Sequence, residues 1–452
     1  MTEERFSFTA SAKKTLMIVG VIGIVLLVVG TISSMSGGHA EEGEHAINTI
    51  TSQTDLTASL EEGPEHAAEE AHGGGEHHGS APWLKRLFTN LWINNIYFTG
   101  LGIIGLFFVA IQYATQAGWS AGMKRIPLAM AHWLPIAGGL MLISWFVVNH
   151  DVFHWTSAGL YAPVAEGGDE IIQGKAAMWY WPLEIGSFPL FYVLRIVVFF
   201  GLWIMFFMWI KKEMLAEDLD GDVKHWYTAR KYSAIFLVIF AVTSSIAAWD
   251  WVMSIDPHWF STMFGWYVFA SWWVNGLAVI TLIVVVLKQN GYLSIINSNH
   301  LHDIGKFVFG FSIFWTYIWF SQFLLIYYAN IPEETVYFIE RLGASQYKWV
   351  FFLNLILNFF LPFLLLMTRD AKRHMSMLKV VMPIIIVGHW FDFYLMITPG
   401  VMQKDGTFGF VEIGMAMIFG VAFLFVTLSN LAKAPLFAKN HPMLQESLHH
   451  HI

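Results

Sequence analysis

The chain has 452 residues, of which 56% are hydrophobic and only 13% charged. Soluble domains carry about 25% charged residues, so this composition excludes a soluble protein and indicates an integral membrane one. The net charge of −8 is concentrated, because residues 37–80 hold ten acids and no Lys or Arg, leaving +2 elsewhere.

Ten apolar stretches reach the roughly 20 residues that a helix needs to cross a bilayer. The first, Thr15–Met35, follows Lys13 and Lys14 and has the look of a signal peptide, but is expected to be retained as a helix. The acidic, His-rich segment after it, 37–84, reads as a flexible periplasmic loop, with metal buffering, proton collection or a docking strap as alternatives.

Four spans follow, Asn95–Ala114, Ile126–Val148, Ser187–Ile210 and Ser233–Met253. Another four run Phe264–Leu287, Ile304–Tyr328, Val350–Thr368 and Leu378–Ile397, and the last is Phe410–Leu428. Their continuous apolarity is unlike the alternation of a β-barrel. The expected fold is all-α with ten transmembrane helices.

The second to fifth and sixth to ninth spans match in number and direction, and each set ends on an acid among aromatics, Asp250 and Asp392. This suggests two four-helix bundles related by a parallel repeat, over 85–253 and 254–398. Residues 1–36 and 399–452 then add peripheral helices 1 and 10. With the N-terminus inside, inner segments hold 18 Lys and Arg against six in outer loops, so both termini are expected to face the cytoplasm.

Ionisable groups within hydrocarbon are costly and therefore functional candidates. His389 and Asp392 are three apart and share a helical face. Such a pair can bind a quinol hydroxyl, relay protons, or be a structural pair satisfied by a neighbour such as Arg195. Asp250 is a second proton-handling candidate. Asp256 and His258 sit among outer-interface aromatics, where Asp256-Pro257 also reads as a turn. His132, and Asn354 with Asn358, read as interhelical glue or as further polar candidates.

The absence of cysteine excludes disulfides, cysteine-ligated iron–sulfur clusters and thioether-linked haem c from this chain. No paired histidines suit a haem and no metal site is expected. No Gly-rich phosphate loop or soluble domain is available for nucleotide or nucleic acid.

The run Ser-Ile-Asp-Pro-His-Trp-Phe-Ser-Thr-Met-Phe-Gly-Trp-Tyr at 254–267, the ten spans and the acidic loop carry a resemblance. The chain resembles the NrfD/polysulfide-reductase-like quinone-interacting membrane proteins, within them the ActF-type subunits of bacterial alternative complex III, over roughly residues 85–435. The resemblance implies a multi-pass subunit of the bacterial inner membrane, in a respiratory menaquinol:cytochrome c (or other electron-acceptor) oxidoreductase. It implies a paralogous NrfD-like subunit, an iron–sulfur protein, haem c subunits and a terminal oxidase as partners, with lipids around them. Menaquinone interaction or proton conduction is the implied role, and the redox centres belong to the partners. A structural scaffold and an independent ion-coupled secondary transporter are the alternatives.

Overall fold

A computed structural model describes the backbone of residues 4–55 and 80–451, and their side chains except those of 37–55. Of the flexible loop expected over 37–84, residues 56–79 lie outside these described residues, whereas the backbone of 37–55 is not a loop but continues the first helix from Ala10 to Asp55. Among the described residues, ten helices are long and apolar enough to cross a membrane. They are α1 (Ala10–Ser36), α2 (Pro82–Ala114), α3 (Arg125–Val152), α4 (Leu190–Asp220), α5 (Val223–Ile255), α6 (Phe264–Gln289), α7 (Ser298–Ala329), α8 (Ser345–Leu366), α9 (Met375–Asp405) and α10 (Phe410–Leu431). Among the described residues the β-structure is one isolated bridge, Arg5 to Pro435. The chain is an all-α membrane protein with ten spans.

Several helices outrun the apolar stretches that announce them. α2 begins at Pro82, more than three turns before Asn95, because its early polar residues Thr89, Asn90 and Asn94 are buried in the protein rather than placed in water. Hydropathy cannot see a polar side chain whose partner is another helix. Between α4 and α5 the turn is local chemistry. Gly221 takes the left-handed conformation (φ +69°) that ends α4, and the Asp222 carboxylate accepts from the Lys224 backbone N–H at 2.9 Å to start α5.

α2 to α5 pack around one another, and α6 to α9 form a second bundle beside them. α2 touches members of both bundles and α10, while α1 lies along α10 at the periphery. The N-terminal residues Glu4 and Ser7 bond to residues 292–294, near the tail at Pro435. We call this end of the bundles the terminal face and the opposite end the distal face. Residues 153–189, with their short helices, and the helix Pro332–Gly343 cover the distal face.

The bundles meet at a close crossing of α2 and α6. A Cβ on Gly100 would stand 2.0 Å from Trp272 Cδ1, and one on Gly276 would stand 2.2 Å from Ile104 Cγ2. Small residues let helices approach where lipid supplies no hydrophobic drive. Gly139 on α3, by contrast, has nothing within 4 Å of such a Cβ. Gly100→Ala should therefore lose about 1–3 kcal/mol in detergent unfolding, from overpacking, whereas Gly139→Ala should be neutral or stabilising. Equal effects of the two would contradict this packing.

Candidate functional site

The second bundle closes around Asp392. On α9 this residue lies roughly 25 Å of helix rise from Met375 and about 15 Å short of Met402, and it is fully buried. Its Oδ1 accepts from Asn354 Nδ2 at 2.8 Å and from the Tyr267 hydroxyl. Its Oδ2 accepts from Trp315 Nε1 at 2.9 Å. His389, one turn earlier and equally buried, holds Nδ1 at 3.8 Å from Asp392 Oδ2 and shares a 2.9 Å hydrogen bond with Ser271 Oγ. The Nε2 atom of His389 has no partner among the described residues.

Helical spacing assembles the cluster. Tyr267 and Ser271 are four apart on α6, Asn354 and Asn358 four apart on α8, and His389 and Asp392 three apart on α9, so each helix presents one polar face. Around Asn358, α8 widens into a π-helical turn, Ile356–Phe360. Pro362 follows it and lacks the N–H that would bond the Asn358 carbonyl, which explains why the regular ladder breaks there. Asn358 Nδ2 then donates to Asn354 Oδ1, orienting Asn354 towards Asp392.

Arg195 does not satisfy this pair. It lies in the first bundle and grips Asp250, Nε to Oδ2 at 2.5 Å and Nη2 to Oδ1 at 2.8 Å, while Nη1 donates to the Met178 carbonyl at 2.7 Å. The bundles are thus parallel in plan, with an acid on the fourth helix held by a donor on the third. They differ in charge. Arg195 is a permanent cation and Asn354 is neutral, so Asp250 has a fixed counter-ion and Asp392 has none.

Asp256 and His258 lie at the distal face. Asp256 Oδ2 accepts from Arg341 Nη2 at 3.1 Å, and His258 Nε2 meets Asp169 Oδ2 at 2.5 Å. Arg341, which its sequence position suggests is only a loop charge, is almost fully buried. Its burial follows from Pro399. That proline cannot donate to the Leu395 carbonyl, and Arg341 Nε donates there instead at 3.0 Å. Arg341 Nη2 also donates to the Met396 carbonyl at 3.0 Å, and the guanidinium lies 3.3 Å from the Tyr337 ring centroid.

Two cavities lie along this line. An open vestibule of about 540 Å³ is lined by His150, Asp256, His258, Glu333, Glu340 and neighbours. A much smaller cavity of about 10 Å³, water-sized, touches Tyr267, Gln322, Tyr337 and Arg341. Polar groups therefore extend from the vestibule past Arg341 and Tyr267 to Asp392. Within the vestibule Glu340 has its carboxyl pushed up to about 7 by burial, then by the Asp256 charge, with Arg341 opposing. It is protonated on the acid side of neutrality and ionised on the alkaline side.

Other candidates stand apart. His132 lies on α3, bonded through Nδ1 to the Leu128 carbonyl at 3.1 Å and packed edge-on to Phe207. A cleft of about 450 Å³ between α2, α6, α9 and α10 is lined chiefly by hydrocarbon. The polar atoms of its Tyr97 and Trp390 are already engaged with Asn275, Ile386 and Asn94.

Two measurements check this arrangement. Arg195→Met should cost about 3–5 kcal/mol in thermal unfolding, because it strands a buried carboxylate, and adding Asp250→Leu should recover much of the loss. No recovery would refute the pairing. In carboxyl-labelled Glu NMR, a resonance that titrates near pH 7 should vanish in Glu340→Gln. A midpoint at the ordinary 4.5 would contradict the described environment.

No protein-family model matches the chain, and no curated protein is significantly similar to it.

Proposed function

We propose that the chain is a proton-conducting membrane subunit, without redox centres of its own, of a bacterial menaquinol:cytochrome c (or other electron-acceptor) oxidoreductase. Membership of such a complex rests on the resemblance carried by residues 254–267. Proton conduction rests on one observation, that Asp392 is fully buried against neutral donors and is linked through Tyr267 towards an open vestibule.

The chemistry follows from the charge balance. A buried Asp–His pair with no permanent cation is neutral overall either with both groups uncharged or with a carboxylate against an imidazolium. Their 3.8 Å separation is beyond hydrogen-bond reach, so exchange of the two arrangements requires the His389 ring to close on Asp392 Oδ2 or a water to bridge them. Tyr267 both donates to Asp392 and borders the small cavity, so a water there continues the path to Tyr337 and the vestibule. In this reading Arg341 holds the distal end of α9 in place, and Glu340 exchanges protons with solvent. Asp250 is assigned a structural role through Arg195.

Quinol oxidation is assigned to a neighbouring subunit, together with the iron–sulfur clusters and haem c. The apolar cleft suits an isoprenoid or acyl tail but offers no unengaged polar group from Tyr97 or Trp390 to a quinone head. The terminal face, which gathers most of the Lys and Arg residues, is assigned to the cytoplasm.

In vesicles containing the assembled complex, Asp392→Asn should slow quinol-driven proton translocation about a hundredfold, with haem and iron–sulfur content unchanged. Tyr267→Phe should give a smaller loss. Unchanged proton movement in both variants would leave only a scaffold. A protomer that purifies alone in mild detergent and still carries ions would favour a transporter.

A further inference from the structure

The terminal end of α7 carries a feature that proton conduction does not use. Its 32 residues rise about 48 Å against a hydrocarbon core of about 30 Å, so some 9 Å projects at each end if the helix is centred. Lys306 lies about 12 Å along α7 and thus near the boundary between headgroups and acyl chains. From that point a groove of about 430 Å³ runs along the helix beside Asp303, Lys306, Phe307, Gly310, Phe311 and Phe314.

The groove has an aromatic wall and a notch. Trp119 stacks on Phe307 at 5.9 Å, and Phe307 on Phe311 at 6.2 Å with rings 7° apart. Phe311 is braced edge-on by Trp273 at 5.5 Å. At Gly310 nothing lies within 4 Å of a Cβ position, which leaves the wall open midway along the stack. Ordered rings beside an open notch at acyl depth fit an extended hydrocarbon chain.

Lys306 and Asp303 line the groove's terminal end, and further positive charge gathers near them. Lys306, Arg369 and Arg373 all bear electrostatically on His302, and Lys306 bears on Lys372. These four cations share residues 298–310 and 367–375 with two carboxylates, Asp303 and Asp370. Asp303 is already held by Lys306 Nζ at 2.7 Å and by His450 Nε2 at 2.6 Å. Lys306 has three N–H donors and a half-exposed side chain, so it can serve an anion beside Asp303.

We propose that this groove binds an anionic phospholipid, with its phosphate at Lys306 and the adjoining arginines and one acyl chain along Phe307, Phe311 and Phe314. A soluble anion has no use for the aromatic wall, and a zwitterionic headgroup brings an ammonium that the surplus positive charge repels. Basic pockets between transmembrane helices recognise lipid headgroups by this combination.

The test uses the full chain, delipidated in mild detergent, offered equal phosphatidylglycerol and phosphatidylcholine, and read by native mass spectrometry. The expected result is one retained phosphatidylglycerol, several-fold in excess over phosphatidylcholine and not displaced by inorganic phosphate. Gly310→Phe should fill the notch and lose the bound lipid while circular dichroism stays helical. Lys306→Gln with Arg369→Gln should bring the headgroup preference close to unity. Equal retention of the two lipids by the unaltered chain, or undiminished phosphatidylglycerol in Gly310→Phe, overturns the proposal. So does displacement of the lipid by phosphate alone.

Discussion

Asp392 has to be solvated by protein, because neither water nor lipid reaches it, and the second bundle is arranged around that requirement. Three neutral donors, Tyr267, Trp315 and Asn354, arrive from three different helices and meet on one carboxylate. Each is worth more in this setting than in water, and leaving any one unmade would strand a buried charge. The register of α6, α7 and α8 against α9 is therefore tied to a single residue. Asp250 poses the same problem in the first bundle and is answered with a guanidinium. The choice of donor separates a fixed ion pair from a carboxylate without a permanent counter-ion, the difference on which the proposed proton conduction rests.

Helix defects do much of the positioning. Pro399 frees a carbonyl on α9, and Arg341 comes inward to satisfy it and the Met396 carbonyl beside it. Pro362 loosens α8 into a π-turn, and Asn358 there steadies Asn354. Irregular backbone in a membrane is tolerated where it is buried in protein. Here both irregularities lie beside the same carboxylate.

The ten spans were legible in the sequence because lipid-facing helices advertise themselves by apolar length alone. Asp392 and His389 were legible because three residues make one helical face. Asn354 and Asn358 shared a face by the same rule, but nothing in their spacing pointed to Asp392. Tyr267 and Trp315 were hidden among the many aromatics of the interfaces, where a belt residue and a hydrogen-bond donor look alike. Arg341 read as a loop charge, since the vacancy it fills is created by Pro399 nearly sixty positions later. Arg195 was the natural partner for the His389–Asp392 pair on charge alone. That it serves Asp250 instead depends on which bundle α4 joins, which no local pattern encodes.

The proposed proton conduction requires that Asp392 change its protonation during turnover. Infrared difference spectroscopy of the assembled complex, triggered by quinol, reads this directly in the carboxylic C=O region. If Asp392 carries the proton, a deuterium-sensitive band appears and is lost in Asp392→Asn while the cofactor content is unchanged. A silent carboxyl region, or a band indifferent to that substitution, would contradict that role.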